Sequence, residues 1–140
     1  MPARILIVDD HDVVRRGIRS VISADPELEI IGEAATGQDA VRRADELKPD
    51  LILLDISLPD ISGIEVAIRV RKLSAAPKIL FLSQHDSIQV ANEGLKAGAC
   101  GFVAKADAAR ELPEAIPTVL RGGTFLSERL TARGSQTQQP

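Results

Sequence analysis

The chain has 140 residues, of which 44 % are hydrophobic but only 2 % aromatic, so it can bury one core of ordinary size built from aliphatic side chains. Its 17 basic and 20 acidic residues give a net charge of −3, which argues against a nucleic-acid or anionic-membrane surface on this segment, because phosphates require a basic face. The single cysteine, Cys100, excludes an internal disulfide framework, and no apolar run approaches membrane-spanning length, so we expect a soluble cytoplasmic protein.

Short apolar runs alternate along the chain with stretches whose apolar residues recur at helical spacing. The predicted strands are residues 5–8, 28–32, 51–54, 78–82 and 101–104. The predicted helices lie at about residues 14–22, 36–47, 64–73, 87–97 and 107–122. The run 51–54 has four large apolar residues and ends abruptly in Asp55, which indicates a strand buried on both faces, as in the middle of a parallel sheet.

Two of the helices carry clear end or breaker signals. Thr36 is the expected N-cap of the second helix, and Asp39 three residues later completes a pair resembling a capping box. Pro113 and Pro117 fall inside the last helix, where each removes a backbone donor. We therefore expect that helix to be kinked or to begin again at Pro113.

The alternation of five strands with five helices predicts an α/β fold with helices on both faces of a parallel sheet. We expect a flavodoxin-like, doubly wound (βα)5 arrangement with strand order 2-1-3-4-5. One domain is assigned to residues 1–122. Residues 123–140 are expected to be a linker or disordered tail, because their end is polar, rich in glutamine and without periodicity.

Polar residues stand at the carboxyl ends of four predicted strands. Asp9 and Asp10 follow the first strand, Asp55 the third, Ser83 the fourth and Lys105 the fifth. Because parallel strands all end at one edge of a sheet, we expect these side chains to meet there, in the crevice between the first and third strands.

The expected cluster has the chemistry of phosphoryl transfer. Carboxylates in one crevice repel one another unless a cation lies among them, and an all-oxygen set suits Mg²⁺. Mg²⁺ and Lys105 would neutralise charge on phosphoryl oxygens, Ser83 would donate a hydrogen bond, and Asp55 would be the nucleophile.

Each of these residues also has a simpler interpretation. The Asp9–Asp10 pair alone would be a polar turn capping the first helix, and Ser83 alone a turn residue. We interpret His11 and His85 as solvated loop residues rather than ligands, because Mg²⁺ prefers oxygen. Phe102, in an apolar strand, is as well explained as a core residue.

In combination these residues resemble the receiver domain of two-component response regulators. The resemblance rests on Asp9-Asp10, on Asp55 with Pro59 and Gly63 at the family's offsets, and on Ser83, Phe102 and Lys105, and it covers about residues 4–121. All of these positions stand in the family's order, each at the expected place relative to a strand end. Residues 1–122 would then be the receiver domain.

The resemblance implies a role for each matching position. Asp55 would be the phospho-acceptor, and Asp9, Asp10, Asp55 and the backbone carbonyl of Ser57 would hold Mg²⁺. Lys105 and Ser83 would bind the phosphoryl group. Ser83 and Phe102, which replace the commoner Thr and Tyr, would be the switch residues. Such a domain is a signalling switch and not a turnover enzyme.

The resemblance also implies partners. The phosphodonor would be a sensor histidine kinase. The segments 9–11 and 122–127 resemble receivers joined to LuxR-type helix-turn-helix domains, so DNA would be contacted only through an output domain outside this chain. Many receivers form a homodimer through the last helix, although Pro113 and Pro117 would alter that surface. No membrane partner is expected.

The alternative hypothesis is a Mg²⁺-dependent phosphohydrolase of the haloacid-dehalogenase kind, which also uses an aspartate nucleophile on an α/β sheet. Those enzymes carry a general acid two residues after the nucleophile. Ser57 occupies that position here, so leaving-group protonation would be unassisted and turnover poor.

Overall fold

The computed structural model of the protein describes residues 1–84 and 88–128. Within these ranges a single parallel sheet is flanked by helices on both faces. The strands are β1 (Ala3–Val8), β2 (Leu28–Ala34), β3 (Leu51–Asp55), β4 (Lys78–Ser83), β5 (Gly101–Ala104) and β6 (Phe125–Leu126). The helices are α1 (Asp12–Ser23), α2 (Gly37–Leu47), α3 (Gly63–Val70), α4 (Ile88–Lys96) and α5 (Ala108–Leu120), and a short 3₁₀ turn, Lys105–Asp107, joins β5 to α5.

The sheet has the predicted order with one strand added at its edge. The observed order is β2-β1-β3-β4-β5-β6, so the flavodoxin-like order 2-1-3-4-5 is confirmed and β6 extends it. Phe125 and Leu126 pair with Gly101 and Phe102 of β5. The strand takes in part of the segment 123–140, for which the sequence predicts a linker or tail. It could not be predicted because two residues carry no periodicity. Residues 129–140 lie outside the described part of the chain.

The core lies in two layers because successive residues of each central strand point to opposite faces. On one face, residues such as Ile7, Leu53 and Leu82 pack against α1 and α5. On the other, residues such as Val8 and Leu54 pack against α2 and α3. Each residue of β3 is buried, which confirms the prediction of a central strand and places Asp55 at the middle of the sheet's carboxyl edge.

Helix α5 is one continuous helix despite Pro113 and Pro117. Of the two alternatives that the sequence leaves open, a kink or a restart, the restart at Pro113 is therefore wrong. Leu112 and Ile116 on its inner face are buried against the sheet, and this packing outweighs the loss of the two proline amide donors. In the described part of the chain, no helix is long and apolar enough to cross a membrane.

Replacing Gly17 by alanine should stabilise the protein. Gly17 lies inside α1 and is exposed, and a Cβ atom built there meets nothing within 4 Å. Alanine loses less backbone entropy than glycine when a helix forms, so we expect the free energy of unfolding to rise by about 0.5–1 kcal/mol. Urea unfolding followed by circular dichroism measures it, and a decrease would contradict the open space seen at this position.

Candidate metal and phosphoryl site

Three strands bring a carboxylate pair and a lysine together at the carboxyl edge of the sheet. Asp55 is the last residue of β3, Asp9 directly follows β1, and Lys105 directly follows β5. Asp9 and Asp55 are 0 % and 1 % exposed. Neither side chain reaches solvent, because each stands at the end of a strand and directly follows four buried residues.

Lys105 lies between the two buried carboxylates. Its Nζ is 2.7 Å from Oδ2 of Asp9 and 3.1 Å from Oδ2 of Asp55. Its side chain is only 10 % exposed, so the ammonium is held within the crevice and not in bulk water. Two negative charges thus share one positive charge in a poorly solvated place.

The pKa values of this group reflect that imbalance. Burial raises the pKa of Asp55 above its ordinary value, the nearby ammonium of Lys105 offsets this only in part, and the charge of Asp9 raises the pKa further. Burial works to lower the pKa of Lys105, but Asp9 and Asp55 together outweigh it and raise that pKa. Lys105 therefore stays charged at neutral pH, and the pocket would favour a further cation.

Asp10 and His11 complete the mouth of the pocket. Nδ1 of His11 is 3.1 Å from Oδ1 of both Asp9 and Asp10, and the backbone N–H of His11 donates to Oδ1 of Asp9 at 2.8 Å. His11 is exposed, as expected of a solvated loop residue, and its imidazole also contacts both carboxylates. Its contact could have been anticipated from its place directly after the acidic pair. His85, the other histidine, lies outside the described residues.

The donor set fits a hard divalent cation. Ligand atoms of Asp9, Asp10, His11 and Asp55 all lie within 4.8 Å of one another. Oδ2 of Asp9 and Oδ2 of Asp55 are buried, and each has Lys105 nearby but no hydrogen bond of regular geometry. Closely spaced carboxylate oxygens with unused lone pairs are the ligands that Mg²⁺ takes, with water completing its octahedron.

Arg15 of α1 donates a hydrogen bond to the backbone beside the acidic pair, a contact that the sequence does not predict. Its Nη1 donates to the backbone carbonyl of Asp9 at 2.5 Å, and its Nε donates to Oε1 of Glu33 at 2.9 Å. Glu33 also pairs with Arg19. These bonds join α1 and β2 to the carbonyl of Asp9 and help to fix where its side chain enters the crevice.

The loop from Ile56 to Ser62 is held at its base and at its tip. At the base, the N–H of Gly63 donates to the carbonyl of Ile56 at 2.8 Å, and the N–H of Ser57 donates to Oδ1 of Asp55 at 3.1 Å. At the tip, the Asp60 carboxylate accepts hydrogen bonds from the first amides of α2. Ser57 is thus placed beside Asp55.

The Asp60 contact predicts a distinct pH dependence of stability. Its hydrogen bonds with the amides of Gln38 and Gly37 lower the pKa of Asp60 to about 2, from an ordinary value of 3.8. A depressed pKa contributes stability above the unfolded-state pKa and loses it as the pH falls through the folded-state pKa. The stability difference between wild type and Asp60→Asn should therefore be constant above about pH 5 and shrink between about pH 4 and pH 2. A difference independent of pH over that window, measured by urea unfolding, would contradict the carboxylate contact.

Ser83 and Phe102 lie at different depths. Ser83, the last residue of β4, is buried and pairs in register with Ala104, next to Lys105. Phe102 is buried in the core beneath the site, where its ring centroid is 6.4 Å from that of Phe81. The structure therefore brings Asp9, Asp10, Asp55 and Lys105 together, whereas Phe102 occupies a core position.

Comparison with known proteins agrees with this geometry. Residues 5–117 match the family model of the response regulator receiver domain. The chain belongs to the response regulator receiver family. It is 35 % identical over 122 residues to response regulator protein VraR of Staphylococcus aureus, an alignment that covers 87 % of this chain and 58 % of VraR. The chain thus spans little more than half the length of the curated relatives that it matches.

Solved receiver structures share the fold as well. A two-component response regulator of the LuxR family from Aurantimonas sp. SI85-9A1 superposes with a TM-score of 0.92 at 33 % identity, and 99 % of each chain is covered. The response regulator domain of Thermotoga maritima CheB superposes with a TM-score of 0.80 at 29 % identity, covering 86 % of this chain and 98 % of that domain. Receiver domains are signalling domains of two-component systems, so the family match favours a switch over the phosphohydrolase.

Proposed function

We propose that this receiver accepts a phosphoryl group on Asp55 in a Mg²⁺-dependent reaction. The observation that carries the proposal is the buried Asp55 carboxylate, which faces Lys105 and lies beside Asp9 and Asp10. A carboxylate oxygen of Asp55 attacks the phosphorus, the bond to the donor's leaving group breaks, and an acyl phosphate remains. The receiver promotes only its own phosphorylation and the hydrolysis of its own acyl phosphate.

The residues around Asp55 have separate tasks. Mg²⁺ would be held by Asp9, Asp10, Asp55 and the carbonyl of Ser57, and when bound it would neutralise charge at the phosphoryl oxygens. Lys105 moves its ion pair from the carboxylate of Asp55 to a phosphoryl oxygen. This costs little reorganisation, because the ammonium is already within 3.1 Å of Asp55.

Ser83 and Phe102 form the switch in this proposal. The Ser83 hydroxyl donates to the new phosphoryl oxygens, which shifts the end of β4 toward the site. Phe102 packs against Phe81, and a Cβ added at Gly94 of α4 would lie 2.8 Å from the Phe81 ring. A movement of β4 therefore reaches α4 through direct contact of the Phe81 ring.

The proposal includes the boundaries of the receiver domain and its partners. In this proposal residues 1–122 are the receiver and residues 123–140 a linker or tail, whose first residues include β6. Residues 129–140 lie outside the described part of the chain. A sensor histidine kinase is the phosphodonor in the cytoplasm, and DNA is contacted through an output domain of the LuxR type. A homodimer through α5 is part of the same proposal.

The test is incubation with acetyl phosphate, with and without Mg²⁺, on wild type, Asp55→Asn and the control Asp45→Asn. Asp45 is an exposed carboxylate on α2. We expect one phosphoryl adduct by intact mass in wild type and Asp45→Asn, only with Mg²⁺, and none in Asp55→Asn, because an amide is not a nucleophile of this kind.

Other outcomes would overturn the proposal. An adduct that persists in Asp55→Asn would place the acceptor elsewhere. Sustained release of inorganic phosphate from varied phosphate esters would favour the phosphohydrolase. No adduct from acetyl phosphate or from a purified histidine kinase would show that Asp55 is not an acceptor.

A further inference from the structure

Asp60 connects the Ile56–Ser62 loop to α2 through two short hydrogen bonds. Its Oδ1 accepts from the N–H of Gly37 at 2.7 Å, and its Oδ2 accepts from the N–H of Gln38 at 2.8 Å. Both amides belong to the first turn of α2, where they have no partner within the helix. The positive end of the helix dipole adds to the attraction.

Close packing also holds the loop against the first turn of α2. A Cβ atom added at Gly37 would lie 2.4 Å from Cγ1 of Ile61, so α2 and the loop pack together more closely than any side chain at residue 37 would allow. Thr36 caps α2 separately, since its Oγ1 accepts from the N–H of Asp39 at 3.1 Å. Thr36 and Asp60 therefore satisfy different amides of α2, and the bonds of Asp60 also attach the loop to the helix, which the bond of Thr36 does not do.

The loop is the segment whose shape decides where the Ser57 carbonyl points. Its first residue follows Asp55 directly, and its far end returns to Ile56 through Gly63. Between these ends Asp60 is the one carboxylate of the loop, and it is anchored to α2 by both oxygens. With both base and tip fixed, the peptide at Ser57 has little freedom to rotate.

We propose that Asp60 is a positioning residue for the metal: by joining the loop to the amino end of α2, it holds the Ser57 carbonyl toward the Asp9–Asp55 crevice. The inference rests on the proposed function, in which that carbonyl is a Mg²⁺ ligand. Asp60 itself contacts neither the metal nor the phosphoryl group. Removing the Asp60 carboxylate should weaken the binding of Mg²⁺ while leaving the nucleophile Asp55 intact.

The experiment compares Asp60→Ala and Asp60→Asn with Thr36→Ala by calorimetric titration with Mg²⁺. Thr36→Ala removes a hydrogen bond from the same helix end but leaves the loop attached, so it is the matched control. Outer-shell groups typically change metal affinity by about 10–100-fold, and we expect about tenfold weaker Mg²⁺ binding in Asp60→Ala. Asp60→Asn, which keeps one acceptor oxygen, should be intermediate, and Thr36→Ala should stay within about twofold of wild type.

A second readout separates positioning from general loss of structure. Phosphorylation by acetyl phosphate should be slow in Asp60→Ala at low Mg²⁺ and return to the wild-type rate at saturating Mg²⁺. A deficit that saturating Mg²⁺ does not restore, or an equal loss of Mg²⁺ affinity in Thr36→Ala, would overturn the positioning role.

The two proposals fail in different ways. If wild type takes up Mg²⁺ and the phosphoryl group and Asp60→Ala binds Mg²⁺ equally well, only the role of Asp60 is refuted. If wild type itself binds no Mg²⁺, the metal-dependent function is refuted and the role of Asp60 with it. Asp60→Asn keeps the test decisive if the alanine variant folds poorly.

Discussion

Replacing Lys105 by methionine should destabilise the metal-free protein by about 3 kcal/mol at neutral pH, because removing one partner of a buried ion pair leaves an uncompensated charge. Methionine keeps much of the volume of lysine, so packing changes little. What remains is the pair Asp9 and Asp55, both buried and no longer neutralised. Urea unfolding without Mg²⁺ measures the loss.

Two conditions should reduce this loss in a diagnostic way. Acid should reduce it, because the raised pKa of Asp55 favours protonation of that carboxyl, which removes the repulsion between Asp9 and Asp55. Mg²⁺ should also reduce it, since a bound cation stabilises the folded state by mass action and replaces the missing charge. Lys72→Met, at an exposed position on the chain, is the control and should change stability little. Equal stabilities of Lys105→Met and wild type without Mg²⁺ would show that the carboxylates do not depend on Lys105.

The parts of the site that follow strand ends could be predicted from the sequence. Asp9, Asp55 and Lys105 each follow an apolar run, and a parallel sheet brings the ends of such runs to one edge whatever the detailed packing. The distances of 2.7 and 3.1 Å between Lys105 and the two carboxylates agree with that prediction. The strand order came with the flavodoxin-like arrangement that the alternation of strands and helices indicates, and the rule that ligands collect where the winding of the sheet reverses then placed the site.

The contacts that escaped prediction depend on side-chain direction or on tertiary packing. Arg15 lies on the first turn of α1, where its long side chain can extend in several directions. Only the structure shows that its guanidinium reaches the carbonyl of Asp9. Asp60 appears in the sequence as a polar loop residue beside Pro59, with no pattern linking it to α2. Strand β6 is possible because Gly101 lets Phe125 approach, since an added Cβ would lie 2.7 Å from the Phe125 carbonyl oxygen. No local signal reports such an approach.

Gly63→Ala should be the most damaging small substitution near the site. A Cβ atom at Gly63 would lie 2.2 Å from the carbonyl oxygen of Asp55 and 2.8 Å from Cα of Ile56. Both are backbone atoms at the end of the central strand, so they cannot turn aside as a flexible side chain would. Overpacking of this kind costs about 1–3 kcal/mol, and we expect a loss near the upper end of that range.

The effect on function should exceed the effect on stability, because the atom that must move belongs to Asp55 itself. A shift of Asp55 by a fraction of an ångström misplaces both the nucleophile and the loop that carries Ser57, and misplacement on the order of 1 Å can lower a rate about a hundredfold. The measurement is the rate of adduct formation from acetyl phosphate at saturating Mg²⁺, on variants shown by urea unfolding to be folded. Gly17→Ala is the matched control, since the same added methyl meets open space there. Wild-type stability and rate in Gly63→Ala would mean that β3 can relax at its carboxyl end, and the rigid placement of Asp55 by the sheet would then have to be abandoned.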